Sequence, residues 1–365
     1  MTSADATVCA VPANFTRQRR AVQIALAALL TLAIYISSYF WIGSRYPALL
    51  KKLHVGKSIQ VTSAITFDVL LPVKRDMPLS TRVEHTTVNW IWANRIGMTF
   101  GVCFGAALLT LLPLFPRRRF QSAAENTLFG AGLGTPLGVC ANCVAPIGQG
   151  LVDAGASTET VLATMISSPL LNVVVLAMAF TLFPLPIALT RLAVPLVLLA
   201  LVPWITPVKR AGLDIQLSET REDSVAQGVD ATIARFLKNL ARIAMITVPL
   251  MLLAAFLGAL TAELLPAHDI PTTASLVGIL LVALVGTFLP VPMAFDVALA
   301  FVLMTRGVPL PYVVALLCTL GAFSIYPFLI VGRSISWRTA TVMFALVMLI
   351  GIVARVGTGL LQHLF

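Results

Sequence analysis

"GTPLGVCANCVAPIGQG", residues 134–150, lies inside a run with no charged side chain from Asn126 to Val152. A helix that simply crosses lipid has no use for repeated glycine and proline, an amide and a C-x-x-C pair. A broken helix does. Proline removes a backbone donor and clashes with the preceding turn, and glycine lets another backbone or a ligand come close. The stretch therefore predicts a break at membrane depth. Such a break survives only when buried in protein or lining a wet cavity.

The surrounding composition supports that solvent. The 365 residues are 58% hydrophobic and 11% charged, against about 25% charged in soluble domains. Uncharged runs at 21–43, 96–116, 126–152, 160–190, 243–262, 270–295 and 307–332 include several beyond the ~20 residues a bilayer core requires. Weaker runs at 192–208 and 339–354 are extended by their flanks. The net charge of +10 sits at the ends of apolar runs, as membrane topology demands; it does not indicate nucleic acid. Five scattered cysteines do not form a disulfide scaffold. The first apolar run lacks a small-residue cleavage site and reads as a retained anchor. The expected fold class is an all-α integral membrane protein of the bacterial cytoplasmic membrane.

The expected organisation is a cytoplasmic tail (1–20), a first transmembrane helix (21–43), an external loop (44–88), a first transmembrane repeat (89–206), a cytoplasmic linker (207–234) and a second repeat (235–365). Within the loop, Ile59, Val61, Ile65, Phe67, Val69 and Leu71 alternate with mostly polar residues in a strand-like or interfacial pattern. The halves align without a gap at an offset of 152: Gly134-Thr135 meets Gly286-Thr287, Gly155 meets Gly307, and Gly138 and Cys140 face Pro290 and Pro292. With a cytoplasmic N-terminus, 14 of the 25 Lys and Arg residues fall on the cytoplasmic side. That orientation requires 121–155 and 273–306 each to enter and leave on one face. These are two re-entrant helical hairpins, one from each face, in an inverted repeat. Secondary transporters place their sites where such broken helices meet.

The chemistry follows from the breaks. Free helix N-termini present positive partial charge. Cys140 and Cys143, at i, i+3 spacing, share one face of the second half-helix. A helix N-terminus favours thiolate, and thiolates select soft metals and metalloids, so the pair is a candidate soft-metal ligand set as well as a packing pair. Gly134, Thr135, Pro136, Gly138, Asn142, Ser168, Asn172, Pro290 and Pro292 are the other candidate substrate-binding positions. The amides and hydroxyls among them read equally well as partners for freed backbone groups. Asp296, an acid within an otherwise apolar segment, is a candidate for proton coupling. Arg95, Arg191, Arg306 and Arg355 are expected to snorkel from span ends, with Arg306 the first candidate partner for an acid. Cys103 and Cys318 read as packing residues.

Residues 134–176, with their Gly/Pro-broken, cysteine-bearing segment followed by a Ser-Pro-x-x-N break (168–172), resemble the first signature of the bacterial permease family that includes organoarsenical efflux permeases. Gly286, Pro290, Pro292 and Gly307 are similar to its second signature. The resemblance covers roughly 95–350 and implies a transporter. Its cysteine cluster is usually tighter than Cys140-Ala-Asn-Cys143.

The leading expectation is a permease moving a small, soft or thiophilic solute by alternating access, with no cofactor and no enzymatic activity. Its partners are the lipid bilayer and a small solute, with no nucleic acid; a homo-oligomer is left open. One alternative is a membrane thiol-redox carrier using Cys140 and Cys143, although such carriers place a cysteine in each half and the counterparts here are Pro292 and Phe295. Another is a membrane subunit that binds a partner through the 44–88 loop.

Overall fold

The computed structural model describes residues 13–47, 50, 70–74, 76–111, 120, 122–206, 229–264 and 274–362. The alternating set at 59–69, Cys9 and most of the central linker lie outside them. Among the described residues there are thirteen α-helices and no strand. Helix α1 (Ala13–Phe40) runs on into a π-helical turn, Trp41–Arg45. The first repeat comprises α2 (Leu79–Leu111), α3 (Ala123–Leu137), α4 (Ala141–Asp153), α5 (Thr158–Leu170), α6 (Val173–Leu182) and α7 (Leu185–Ile205). The second comprises α8 (Val229–Leu264), α9 (Leu276–Phe288), α10 (Phe295–Thr305), α11 (Leu310–Thr319), α12 (Ile325–Ser334) and α13 (Trp337–Gln362). Five helices are long and apolar enough to cross a membrane, or six if the bent α5–α6 pair forms one span. The protein is an all-α membrane protein.

The repeat is in register through the fold. Helices α5, α6 and α7 begin at 158, 173 and 185, and α11, α12 and α13 begin at 310, 325 and 337, an offset of 152 each time. Gly155 and Gly307, paired by that offset, both adopt positive φ, 77° and 79°. Both end a hairpin arm where an L side chain would be strained. The contacts repeat as well. Gly134 packs on Ser167 and Gly286 on Thr319, the same pair one repeat later.

Those contacts fix the direction of each arm. Thr160 and Thr164 of α5 donate to the carbonyls of Asn126 and Gly130 on α3, and Gly134 meets Ser167. The spacing along the two helices stays nearly constant, so α3 and α5 are parallel. Helix α4 runs back along α5, with Val139 against Ser168, Gly148 against Met165, and a short turn joining Asp153 to Thr158. The ends of α3 and α4 therefore lie at one level and their junction at another. This is hairpin 1, with its tip at residues 138–140. In hairpin 2, α9 lies parallel to α11 through Ser275 and Gly278 on Tyr312 and Gly286 on Thr319, and α10 returns.

The repeats are inverted. Arg82 near the start of α2 pairs with Glu263 at the end of α8, at 2.9 Å, while Thr110 near the end of α2 accepts from Asn239 early in α8. The equivalent helices α2 and α8 are thus antiparallel. Helix α4 lies in a groove of α2 lined by Gly97, Gly101 and Gly105; a Cβ on Gly105 would stand 2.7 Å from the Pro146 carbonyl oxygen.

Several boundaries differ from the sequence reading: α1 begins at Ala13 within the expected tail, and α8 at Val229 within the expected linker. Helix α2 starts at Leu79, within the stretch expected as loop, because the polar residues there have partners: Arg82 and Thr86 bond Glu263, and Asn89 holds the backbone of Leu70 and Leu71. Leu71, read as part of an alternating strand, lies in a bend.

The hairpins are expected to open to opposite faces. Ala124→Cys and Ala274→Cys, at the entry ends of α3 and α9, should each be labelled by an impermeant maleimide from one side only, and from opposite sides, in a background with the native cysteines replaced. Labelling of both from the same side would rule out the inverted hairpins.

Candidate functional site

The two tips meet, and side chains from other elements satisfy the backbone groups freed by the breaks. In tip 1, the Pro136 carbonyl accepts the Trp41 indole N–H at 3.1 Å, and the Gly138 carbonyl accepts the Asn172 amide at 2.7 Å. The Val139 N–H donates to Ser168 at 3.2 Å. In tip 2, the Pro290 carbonyl accepts the Trp90 indole N–H at 2.7 Å, and the Val291 carbonyl accepts the Asn142 amide at 3.0 Å. Asn142 completes the bridge by accepting from Ser324 at 2.8 Å. Tip 1 thus reaches across to hairpin 2 and to the α11–α12 break.

Cys140 is the N-cap of α4, and its sulfur accepts the Cys143 N–H at 3.2 Å. The two cysteines are joined as a disulfide, with Cα atoms 5.1 Å apart. Both are buried. The Asn94 amide oxygen lies 3.7 Å from the Cys140 sulfur. As a disulfide the pair offers no thiolate, so a soft ligand set exists only after reduction. Among the described residues no group of three or more His, Cys, Asp or Glu side chains could hold a metal.

Asp296 lies in the first turn of α10, whose N-cap Ala294 has φ 64°. Its carboxylate accepts from Arg191 Nη2 of α7 at 2.7 Å. The side chains are 5% and 1% exposed, so this is a buried ion pair. The expectation that Arg191 snorkels is thereby corrected: two turns into α7, it points inward, where Asp296 offsets the cost of burying it. Arg306 is exposed and is not the acid's partner. Arg95 stacks on Trp92 at 3.6 Å. A small gap of about 10 Å³ between the tips is lined by residues that include Cys140, Arg191, Pro292, Met293 and Asp296. That is about one water's probe volume, so the tips are closed on each other.

Of the residues singled out from the sequence, Gly138, Cys140, Asn142, Cys143, Ser168, Asn172, Pro290, Pro292 and Asp296 gather at this junction. Three do not. Gly134 is buried against α5, the Thr135 hydroxyl bonds back to Ala131, and the Pro136 side chain is exposed. Sequence reasoning missed Trp41, Trp90, Asn94, Arg191 and Ser324. Ser324 carried a usable signal, because it is the counterpart of Asn172 at the 152 offset.

Inverted broken hairpins meeting tip to tip define a membrane permease architecture. Residues 97–360 match the ArsP_1 family, described as "Predicted permease", and the chain belongs to that family. It is 26% identical over 263 residues to the UPF0718 protein YraQ of Escherichia coli (strain K12), covering 69% of this chain and 74% of that protein. No solved structure matches.

Asn142 joins the two tips, so Asn142→Ala should lower the thermal midpoint of the purified protein measured by fluorimetry. The Val291 carbonyl and the Ser324 hydroxyl would be left unpaired, at about 1–3 kcal/mol for each buried group. An unchanged midpoint would show that the tips do not depend on this bridge.

Proposed function

We propose that the chain moves a small solute across the bacterial cytoplasmic membrane by alternating access at the junction of the hairpin tips. The observation that carries this reading is the meeting of two re-entrant hairpins from opposite faces, with the C-x-x-C pair and a buried ion pair at the contact. Parting one tip from the other opens the junction to one face at a time. The charge distribution supports a cytoplasmic N-terminus, which makes the entry face of hairpin 1 cytoplasmic.

The cargo is a soft or thiophilic species, held by Cys140 and Cys143 in their reduced form. Two sulfurs at a dipole-positive helix end, with Asn142, Asn94 and Asn172 nearby, can bind such a species and still release it. A closed four-ligand cage of the structural zinc type could not. Gly138, Ser168, Pro290 and Pro292 shape the site. Asp296 couples transport to protons through its pairing with Arg191. The disulfide itself favours one second reading, a thiol-redox carrier. That reading needs a second redox partner, and the positions equivalent to Cys140 and Cys143 are Pro292 and Phe295.

Everted vesicles assayed with a panel of soft metal and metalloid species test the proposal. Cys140→Ser and Cys143→Ser should each lose most transport, and the double variant little more, because the pair acts as a unit. Closing the disulfide with an oxidant should block transport, and reductant should restore it. Normal transport by both single variants would remove the cysteines from the site. Transfer of electrons to a thiol acceptor without solute movement would favour the redox reading.

A further inference from the structure

Among the described residues only three charged side chains are buried: Arg45, Arg191 and Asp296. All three stand at the hairpin tips. Arg191 lines the gap together with Cys140. Arg45, from the π-helical turn after α1, reaches the other side of the cystine. An added Cβ at Gly97 would meet both the Cys143 sulfur and, at 3.8 Å, Arg45 Nη2. Arg45 stacks on Phe40 at 4.3 Å and has no ion pair among the described residues. Among the described residues the junction therefore buries two positive charges against one negative.

The hydrogen-bond inventory shows the same excess. A guanidinium carries five N–H donors. Arg191 gives one of its nitrogens to Asp296, and its Nε and Nη1 are buried without a partner. Arg45 Nε is also buried without a partner. Buried donors without acceptors and a buried charge without a counter-charge are both costly. The N-terminus of α4, opening at Cys140, adds positive partial charge to the same place. An acceptor-rich group of charge −1 in the gap would satisfy the free donors of Arg191. The disulfide sulfurs carry no charge, and no described residue other than Asp296 supplies such a group there.

We propose that the junction of the hairpin tips is a binding site for a small monoanion, held by the free donors of Arg191, with Asp296 as the competing internal anion. The proposal rests on reading the junction as the translocation site and concerns its disulfide form, in which the sulfurs add no negative charge. The gap is too small for such an ion while the tips are closed, so binding requires the tips to part or the Asp296 carboxylate to leave Arg191. Protonation of Asp296 favours the second route. Among the described residues, the charged and titratable groups shown to interact with Asp296 are Arg191 and Cys318.

The test is calorimetric titration of the full chain in nanodiscs, with the Cys140–Cys143 bond intact. Formate serves as a hard monoanion, thiocyanate as a soft one and urea as a neutral control. The wild type should bind at least one anion saturably and not urea. Asp296→Asn, which removes the competitor and keeps the shape, should bind that anion about tenfold tighter or more. The double variant Arg191→Gln/Asp296→Asn leaves no unbalanced charge from the pair and should show no saturable binding. Equal affinity of Asp296→Asn and wild type would overturn the proposal, and so would binding by the double variant or no anion binding by the wild type. Should Asp296→Asn not fold, the wild type and the double variant decide the matter alone. Because binding is read without transport, the outcomes separate. Solute movement without anion binding would sink this inference and leave the permease reading. Anion binding without movement of any solute in vesicles would do the reverse.

Discussion

Backbone groups freed inside a membrane have no water to turn to, and every feature of the junction answers to that constraint. Each break exposes carbonyls and amides at a depth where an unpaired group costs several kcal/mol. Here the partners are side chains supplied from elsewhere in the chain. Trp41 comes from the turn after α1, Trp90 from α2, Asn172 from the α5–α6 break, and Asn142 crosses from one hairpin to the other. Proline at 136, 290 and 292 shortens the list, since it has no N–H to satisfy. A hairpin that left its partner would strip several of these bonds at once. Partial separation of the tips would therefore be costly, which suits the two-state gating proposed above.

The two hairpins are not held equally. Hairpin 1 lies in the groove that Gly97, Gly101 and Gly105 open along α2, close enough that a Cβ at Gly105 would collide with the backbone of α4. The equivalent positions on α8 are Pro249, Leu253 and Leu257, which offer no such groove. On the α8 side, tip 2 meets Gly258 through Pro290, and Trp90 holds its carbonyl from α2. Hairpin 1 is thus bound to its neighbour along the length of its outgoing arm, whereas these contacts hold hairpin 2 at its tip.

Much of this was legible in the sequence because its causes are local. Breaks need glycine and proline, and these stand where the helices end. The 152 offset could be seen because Gly155 and Gly307 serve the same backbone requirement, and it fixed the register of three helix pairs. Arg191 was not legible. Hydropathy places it at the edge of an apolar run, and only the long-range ion pair with Asp296 shows that it turns inward. The start of α2 was hidden for a related reason: Arg82 and Thr86 look like loop residues until Glu263, far along the chain, is brought beside them. The state of the cysteines was also beyond reach, since C-x-x-C spacing permits either a thiol pair or a disulfide.

The repeat builds a symmetric scaffold and an asymmetric site. Set against the offset, Cys140 and Cys143 face Pro292 and Phe295, Asn142 faces Ala294, Asp296 faces Val144 and Arg191 faces Met343. Almost every chemically active residue at the junction has an apolar counterpart. The pair at the helix breaks, Asn172 and Ser324, is polar in both halves, but Asn172 caps the following helix with its side chain whereas the Ser324 hydroxyl donates to Asn142. The halves differ most at the residues of the proposed site. Hairpin 1 contributes sulfur and amide, hairpin 2 contributes a carboxylate, and α7 contributes the cation between them. Neither half alone supplies all of these groups, so the proposed site needs both hairpins. In the proposed cycle, parting the tips opens the closed gap to cargo and to solvent by the same motion.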